Sequence, residues 1–369
     1  MKIGIPKEIK DNEFRVSLTP NAVATLVANK HEVVVQKDAG KENGFFDEMY
    51  KKSGAQIVNS LEEVYQSEMV IKVKEPQKKE IPLLKEKQIL FCYLHLAADR
   101  ELTQELIKKK IIGIAFETVT DDNNNLPLLI PMSMAAGKIA ISKGASLLQK
   151  SNAGKGVILG GLPGVRKAHV VVIGGGIVGE YALKEALAMG ADVEVFDINV
   201  NRLKELDTLY GPYLKTIYFS EESLKESLKK ADLIIGAVLI KGAKAPRIIT
   251  RDMLKLIERK SVIIDVSIDQ GGCVETSKPT THANPTYEIE GVIHYCVANI
   301  PGDCPKTTSS ALSNAISPYS VKIANLGYKK SILEDKHLRN GLNLFLGNVT
   351  NKEVARDLKF EYKDIESII

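Results

Sequence analysis

Strands and helices that alternate from residue 3, a strand–glycine turn–helix at residues 169–189, and further apolar strands behind it predict an α/β chain. We read it as two Rossmann-like, doubly wound domains with a cleft between them, the first discontinuous in sequence. A chain of 369 residues has room for roughly two to three domains.

Residues 3–6 form a short apolar strand. Thr19-Pro20 marks a helix start, with Thr as N-cap and Pro in the first turn, and the helix continues over 22–28. Strands are expected at 33–36, 69–74, 88–95 and 111–119, and helices at 62–67 and 100–110. The polar cluster at 121–125, with Pro127 and Pro131 as breakers behind it, marks the first domain boundary. Residues 132–150 read as one long helix. Strands at 232–238, 262–267 and 292–297 continue the second domain. Residues 309–324 read as a helix interrupted by Pro318. The tail to Ile369 is too short for a domain of its own and is expected to return to the first.

The run HVVVIGGGIVG (169–179) carries the most information. Gly174, Gly176 and Gly179 occupy the three positions of G-x-G-x-x-G: a tight turn, close approach of a pyrophosphate, and close helix–strand packing. The helix beginning there offers unsatisfied N–H groups to phosphates. The strand at 193–197 ends in Asp197, about 20 residues past the glycines, where an acid would bind ribose hydroxyls and repel a phosphate. NAD is therefore expected over NADP. The alternative is a plain βαβ turn with a capping acid; the whole strand–turn–helix–strand–acid context favours the dinucleotide. The domains expected are residues 1–129 plus 308–369 for substrate and catalysis, and residues 130–307 for NAD.

Composition excludes other classes. Net charge is +4, with acids and bases interspersed, which is no nucleic-acid footprint. The four cysteines form no C-x-x-C pair and no metal spacing, so free thiols in a reducing compartment are expected, and no metal. No stretch approaches the ~18 continuous apolar residues of a membrane span, and no signal-peptide core opens the chain, so a cytoplasmic protein is expected.

Ligands of open α/β sheets sit beyond the carboxyl ends of the strands. Polar residues expected there are Arg15, Lys74 and His95 in the first domain, and Asp269 and Asn299 in the second. Arg15 offers a planar fork for a carboxylate, Lys74 a compact cation, and His95 a proton near neutral pH. Asp269 can orient or deprotonate water, and Asn299 offers donor and acceptor beside a nicotinamide. Each has a plainer reading: a surface arginine, a solvated lysine on the face of Lys72, a half-buried histidine, a turn aspartate. Together, facing a dinucleotide domain, they point to a small anionic substrate.

These residues sit in runs that resemble the alanine dehydrogenase family along nearly the whole chain: GIPKEIK (4–10), RVSLTP (15–20), VKEP (73–76), YLHLA (93–97), PLLIPMS (127–133), GLPGV (161–165), GAKAP (242–246), IDQGG (268–272), VANIPG (297–302) and VTNK (349–352). The resemblance implies reversible oxidative deamination of L-alanine to pyruvate and ammonium with NAD, in a homohexamer. It places the substrate-carboxylate arginine on Arg15, the substrate-binding lysine on Lys74, and the catalytic pair on His95 and Asp269. It places nucleotide contacts on Ser133, Gly174, Gly176, Val178, Asp197, Arg202, Ser220, Leu239, Asp269 and Asn299, beside Gly179 of the glycine turn. The chain departs from the pattern at Met134, Asp303-Cys304, Lys306, Phe14 and Cys92. Dehydrogenases of other small amino acids, a transhydrogenase nucleotide-binding subunit and a non-catalytic NAD-binding protein are the alternatives.

Overall fold

The computed structural model describes residues 1–238 and 245–369. Along the chain come β1 (Lys2–Ile5), α1 (Pro20–Ala28), β2 (Glu32–Gln36), α2 (Asp47–Lys52), β3 (Gln56–Val58), α3 (Leu61–Val64), β4 (Met69–Ile71), β5 (Ile89–Cys92), α4 (Arg100–Lys108), β6 (Ile112–Ala115) and α5 (Ile130–Leu147). Next are β7 (His169–Ile173), α6 (Ile177–Ala188), β8 (Asp192–Asp197), α7 (Val200–Tyr210), β9 (Leu214–Tyr218), α8 (Glu221–Leu228), β10 (Leu233–Gly236), β11 (Val262–Asp265), β12 (Thr286–Ile289) and β13 (Val292–Tyr295). The last stretch holds α9 (Pro305–Glu334), α10 (Lys336–Asn340), β14 (Leu342–Phe345), β15 (Asn348–Val349) and α11 (Lys352–Leu358). The chain forms two compact units: Met1–Met132 with Cys304–Ile369, and Ser133–Asp303. The passage from one to the other falls inside α5.

The first unit is built on an eight-stranded sheet ordered β15-β14-β6-β5-β4-β1-β2-β3. β6 to β3 run parallel, and β14 and β15 close one edge antiparallel. The chain winds outward through β1, β2 and β3, then returns to the other side of β1 at β4, so the order reverses between β1 and β4. The second unit repeats this plan in a seven-stranded sheet ordered β12-β13-β11-β10-β7-β8-β9, reversing between β7 and β10, with β12 antiparallel at the edge. In such sheets, ligands bind in the crevice at the carboxyl ends of the strands where the order reverses.

The central strands are apolar because both their faces are covered. Every residue of β4, β5, β6, β10, β11 and β13 is buried, so these segments lack the in–out alternation of a half-exposed strand. In the first unit, Leu312, Ile316 and Ile323 of α9 pack with Ile3, Ile5, Val33 and Ile71 on one sheet face. Leu102 and Leu106 of α4 and Val354 of α11 pack with Val34, Val70 and Leu90 on the other. The returning tail thus completes the first core.

Several element bounds differ from the sequence expectation. Pro131 lies in the first turn of α5, where a missing N–H costs nothing, so the helix starts before it. Pro318 lies within helical backbone, and α9 is instead broken at Gly327 (φ 72°), whose positive φ is open to glycine. Thr19 stands at the N-cap of α1, but its Oγ1 lies 3.1 Å from Ser313 Oγ and does not cap the helix. β4 stops at Ile71 and β5 at Cys92, so Lys74 and His95 lie three residues past their strands.

Candidate functional site

Beyond the carboxyl ends of β1, β4 and β5 stand Arg15, Lys74 and His95. Arg15 is buried and bound by Glu13: Nε donates to Oε1 at 2.7 Å and Nη2 to Oε2 at 2.5 Å. Its Nη1 lies 3.0 Å from Met132 Sδ, in the first turn of α5. Burial works against the guanidinium charge, but Glu13 outweighs it and raises the pKa further. The expected carboxylate-binding fork is therefore already engaged on its Nε–Nη2 edge by a protein carboxylate.

Lys74 is half-buried. Burial, with Arg15 and Lys10 adding like charge, holds its ammonium below the usual lysine range, while Glu75 and Glu13 pull the other way. Among the described residues it has no ion pair within 4.0 Å.

Near Lys74 in sequence lies a buried cluster that sequence reasoning did not find. Lys72 is fully buried, with Nζ 3.1 Å from Glu8 Oε2 and 3.0 Å from Glu80 Oε2. Burial opposes the Lys72 charge, but Glu8 and Glu80 together raise its pKa. One ammonium serves two carboxylates, so burial pushes the Glu8 carboxyl up to about 7 against the pull of Lys72, with Glu80 and Glu13 adding to the rise. Glu8 Oε1 also accepts the Val73 N–H at 2.6 Å, and Glu80 Oε2 the Gln77 N–H at 2.7 Å. These bonds fix the strap that carries Lys74. Lys72→Met leaves two buried carboxylates without a cation, and a loss of about 3–5 kcal/mol is expected in urea unfolding; a loss under about 1 kcal/mol would show that the cluster does not hold the strap.

His95 is exposed, in a left-handed backbone conformation (φ 48°, ψ 34°) that is uncommon for a non-glycine residue. Glu117, just past β6, holds it there: Oε1 accepts the His95 N–H at 2.6 Å and the Leu94 N–H at 3.1 Å. The imidazole stacks on Tyr93, centroids 5.9 Å apart and planes 19° apart, and Tyr93 Oη donates to the Leu128 carbonyl at 2.6 Å. Backbone and ring are thus both oriented by neighbours.

In the second unit, β7 runs into Gly174 (φ 99°), and α6 starts after Gly176. Gly175 is braced from both sides: its N–H donates to Asp197 Oδ2 at 2.7 Å, and its carbonyl accepts from Arg202 Nε at 2.7 Å. Arg202 also pairs with Glu180 and Glu205. Val178 lies in the first turn of α6, and Ser133 in α5. Ser220, after β9, caps α8 by accepting the Ser223 N–H.

Asp269 is exposed on the turn after β11. The base of that turn is tied by the buried Asp265, whose Oδ2 accepts from Cys273 N at 2.9 Å, Val274 N at 3.2 Å and Ser277 Oγ at 2.6 Å. Asn299 comes after β13 with φ 65°, and its carbonyl lies 3.3 Å from His282 Nε2. Leu239 lies outside the described residues. The second unit therefore gathers Gly174, Asp197, Ser220, Asp269 and Asn299 along the carboxyl edge of one sheet.

Sequence reasoning missed Glu13, Glu117, Asp265 and Lys72. Of the departing positions, Asp303 pairs with Lys143 at 2.7 Å, Cys92 is buried with its thiol pushed up by burial, and Phe14 and Cys304 are exposed.

Two doubly wound α/β units, one with a dinucleotide-type glycine turn and the other with a cation pair and a histidine at its strand ends, define the class to which this protein belongs. Residues 4–136 match the alanine dehydrogenase/PNT N-terminal domain, and residues 140–352 the C-terminal domain. The chain belongs to this alanine dehydrogenase/PNT family. It is 50% identical to alanine dehydrogenase 2 of Staphylococcus aureus (strain USA300) and 47% identical to an alanine dehydrogenase of Halomonas elongata, each over the full length of both chains. Among solved structures it is similar to an L-alanine dehydrogenase, with TM-score 0.95 and 46% identity, covering 97% of this chain and 99% of that one. A transhydrogenase from Sinorhizobium meliloti shares the fold, with TM-score 0.82 and 21% identity over 95% of this chain and 99% of that one.

Proposed function

We propose that the chain catalyses the reversible reaction of L-alanine, NAD+ and water to pyruvate, ammonium, NADH and a proton. The observation that carries this reading is its full-length likeness, near half identity, to proteins named alanine dehydrogenase. The glycine turn suits a dinucleotide: a Cβ built on Gly176 meets no atom of the described residues within 4 Å, which leaves the backbone open to a pyrophosphate. Asp197 already accepts two backbone N–H bonds, and a carboxylate has roughly four acceptor positions, which leaves room for ribose hydroxyls. A phosphate there would meet like charge, so NAD is favoured over NADP.

In this reading Arg15 and Lys74 take the alanine carboxylate and fix its Cα. A dinucleotide held at Gly174, Gly176 and Asp197 would supply the hydride acceptor for the Cα–H. His95 and Asp269 then carry protons as water adds to the iminium carbon and ammonia departs. Cytoplasmic placement and a homohexamer complete the proposal. The homohexamer rests on the resemblance, and no helix among the described residues is long and apolar enough to cross a membrane. The test is NADH oxidation by the purified protein with pyruvate and ammonium. Turnover is expected with NADH and at least about tenfold less kcat/KM with NADPH. No turnover with pyruvate or any other small 2-oxo acid sinks the reading.

A further inference from the structure

We propose that Glu13 is a positioning residue for substrate recognition: it clamps the Nε–Nη2 edge of Arg15, so that one orientation of the guanidinium is presented to the substrate carboxylate. This inference rests on the substrate-carboxylate role proposed for Arg15.

The Glu13–Arg15 pair is almost wholly buried, with side chains 0% and 2% exposed. A pair so placed contributes little net stability, because desolvation offsets most of the attraction. Burial of the pair therefore gives little reason by itself for these residue types. The bonding pattern gives one. Glu13 Oε1 accepts both the Arg15 backbone N–H at 3.0 Å and the side-chain Nε at 2.7 Å, while Oε2 takes Nη2. One carboxylate thus locks main chain and guanidinium together and removes the rotamer freedom a long side chain would otherwise lose on binding. On the other edge, Nη1 rests on Met132 Sδ, a weak acceptor. Exchanging a thioether for a carboxylate oxygen strengthens that bond.

Glu13 also acts on Lys74 through charge. The Lys74 ammonium is depressed by burial, Arg15 and Lys10, and supported by Glu75 and Glu13. Without Glu13, Arg15 faces Lys74 uncompensated, and Lys74 loses its proton at lower pH.

The experiment is steady-state kinetics of full-length Glu13→Gln, Glu13→Asp, Arg15→Ala and the Glu13→Gln/Arg15→Ala double variant. Glu13→Gln is expected to raise KM for pyruvate by about tenfold, with kcat changed less than about threefold and KM for NADH unmoved. The alkaline limb of its kcat/KM profile shifts to lower pH, and Glu13→Asp, which keeps the charge, returns it. The double variant is no worse than Arg15→Ala alone. An unchanged KM in Glu13→Gln beside a raised KM in Arg15→Ala overturns the proposal, and so does a lowered KM, which would make Glu13 a competitor of the substrate. An unchanged KM in Arg15→Ala instead overturns the carboxylate role itself. Should Glu13→Gln fail to fold, Glu13→Asp decides: it must raise KM for pyruvate without moving the alkaline limb, and a wild-type KM overturns the proposal.

Discussion

His95→Asn is expected to lower turnover by a factor of about 10²–10⁴, the range that general acid–base groups supply, while the protein stays folded and binds NADH as before. Asparagine is chosen because it tolerates the left-handed backbone that His95 adopts (φ 48°). The bonds from Glu117 to the backbone N–H groups of Leu94 and His95 survive, since none uses the imidazole. The imidazole is exposed but stacks on Tyr93, so its removal should shift stability by no more than about 1.5 kcal/mol. What is lost is a group able to exchange a proton near neutral pH. Single-turnover kinetics with an NADH fluorescence titration separates the roles. A normal titration with a collapsed rate is the expected result. Loss of NADH binding in step with activity, or a rate within about threefold of the parent, would show that His95 is not the proton carrier.

The parallel sheets and the glycine turn were readable because their causes are local. Val170, Val171 and Val172 are apolar on both faces, as a strand covered on two sides requires, and Gly174 sits where φ is 99°. The candidate site residues were readable by type, through their place after strands, but not by environment. Lys72 illustrates why. A lysine beside strand residues is ordinarily solvated, and only the folded chain brings Glu8 and Glu80 to it from either side in sequence. Glu117 was hidden in a segment expected to be strand throughout; β6 in fact ends at Ala115, and a single tight turn at Phe116–Thr118 swings the carboxylate to His95. Glu13 carried the one usable signal, an acid two residues before Arg15. Pro318 misled because proline disfavours helix interiors, yet the packing of α9 on the first sheet outweighs that local cost.

Gly179→Ala and Gly176→Ala should part company although both alter the same motif. A Cβ on Gly179 would lie 1.8 Å from the Gly174 carbonyl oxygen and 3.0 Å from its carbon. That oxygen belongs to the backbone of the turn, so no side-chain rotation relieves the clash. Either the first turn of α6 moves off β7 or the glycine turn is remodelled. Overpacking of this kind costs about 1–3 kcal/mol or more, and it falls on the N–H groups that would meet the pyrophosphate. Gly179→Ala is therefore expected to lower the melting temperature by several degrees, on the order of 4 °C or more, and to weaken NADH binding about 100-fold or more. Gly176 has a φ of −65° that any residue adopts, and its Cβ meets no described atom within 4 Å. Gly176→Ala should melt with the parent and still bind NADH more weakly, because the methyl group occupies the line along which a pyrophosphate approaches the backbone. Calorimetry and NADH titration on the two variants read stability and affinity separately. If Gly179→Ala melts like the parent, the close packing of α6 on β7 does not hold the turn; if Gly176→Ala binds NADH like the parent, the pyrophosphate does not pass over that residue.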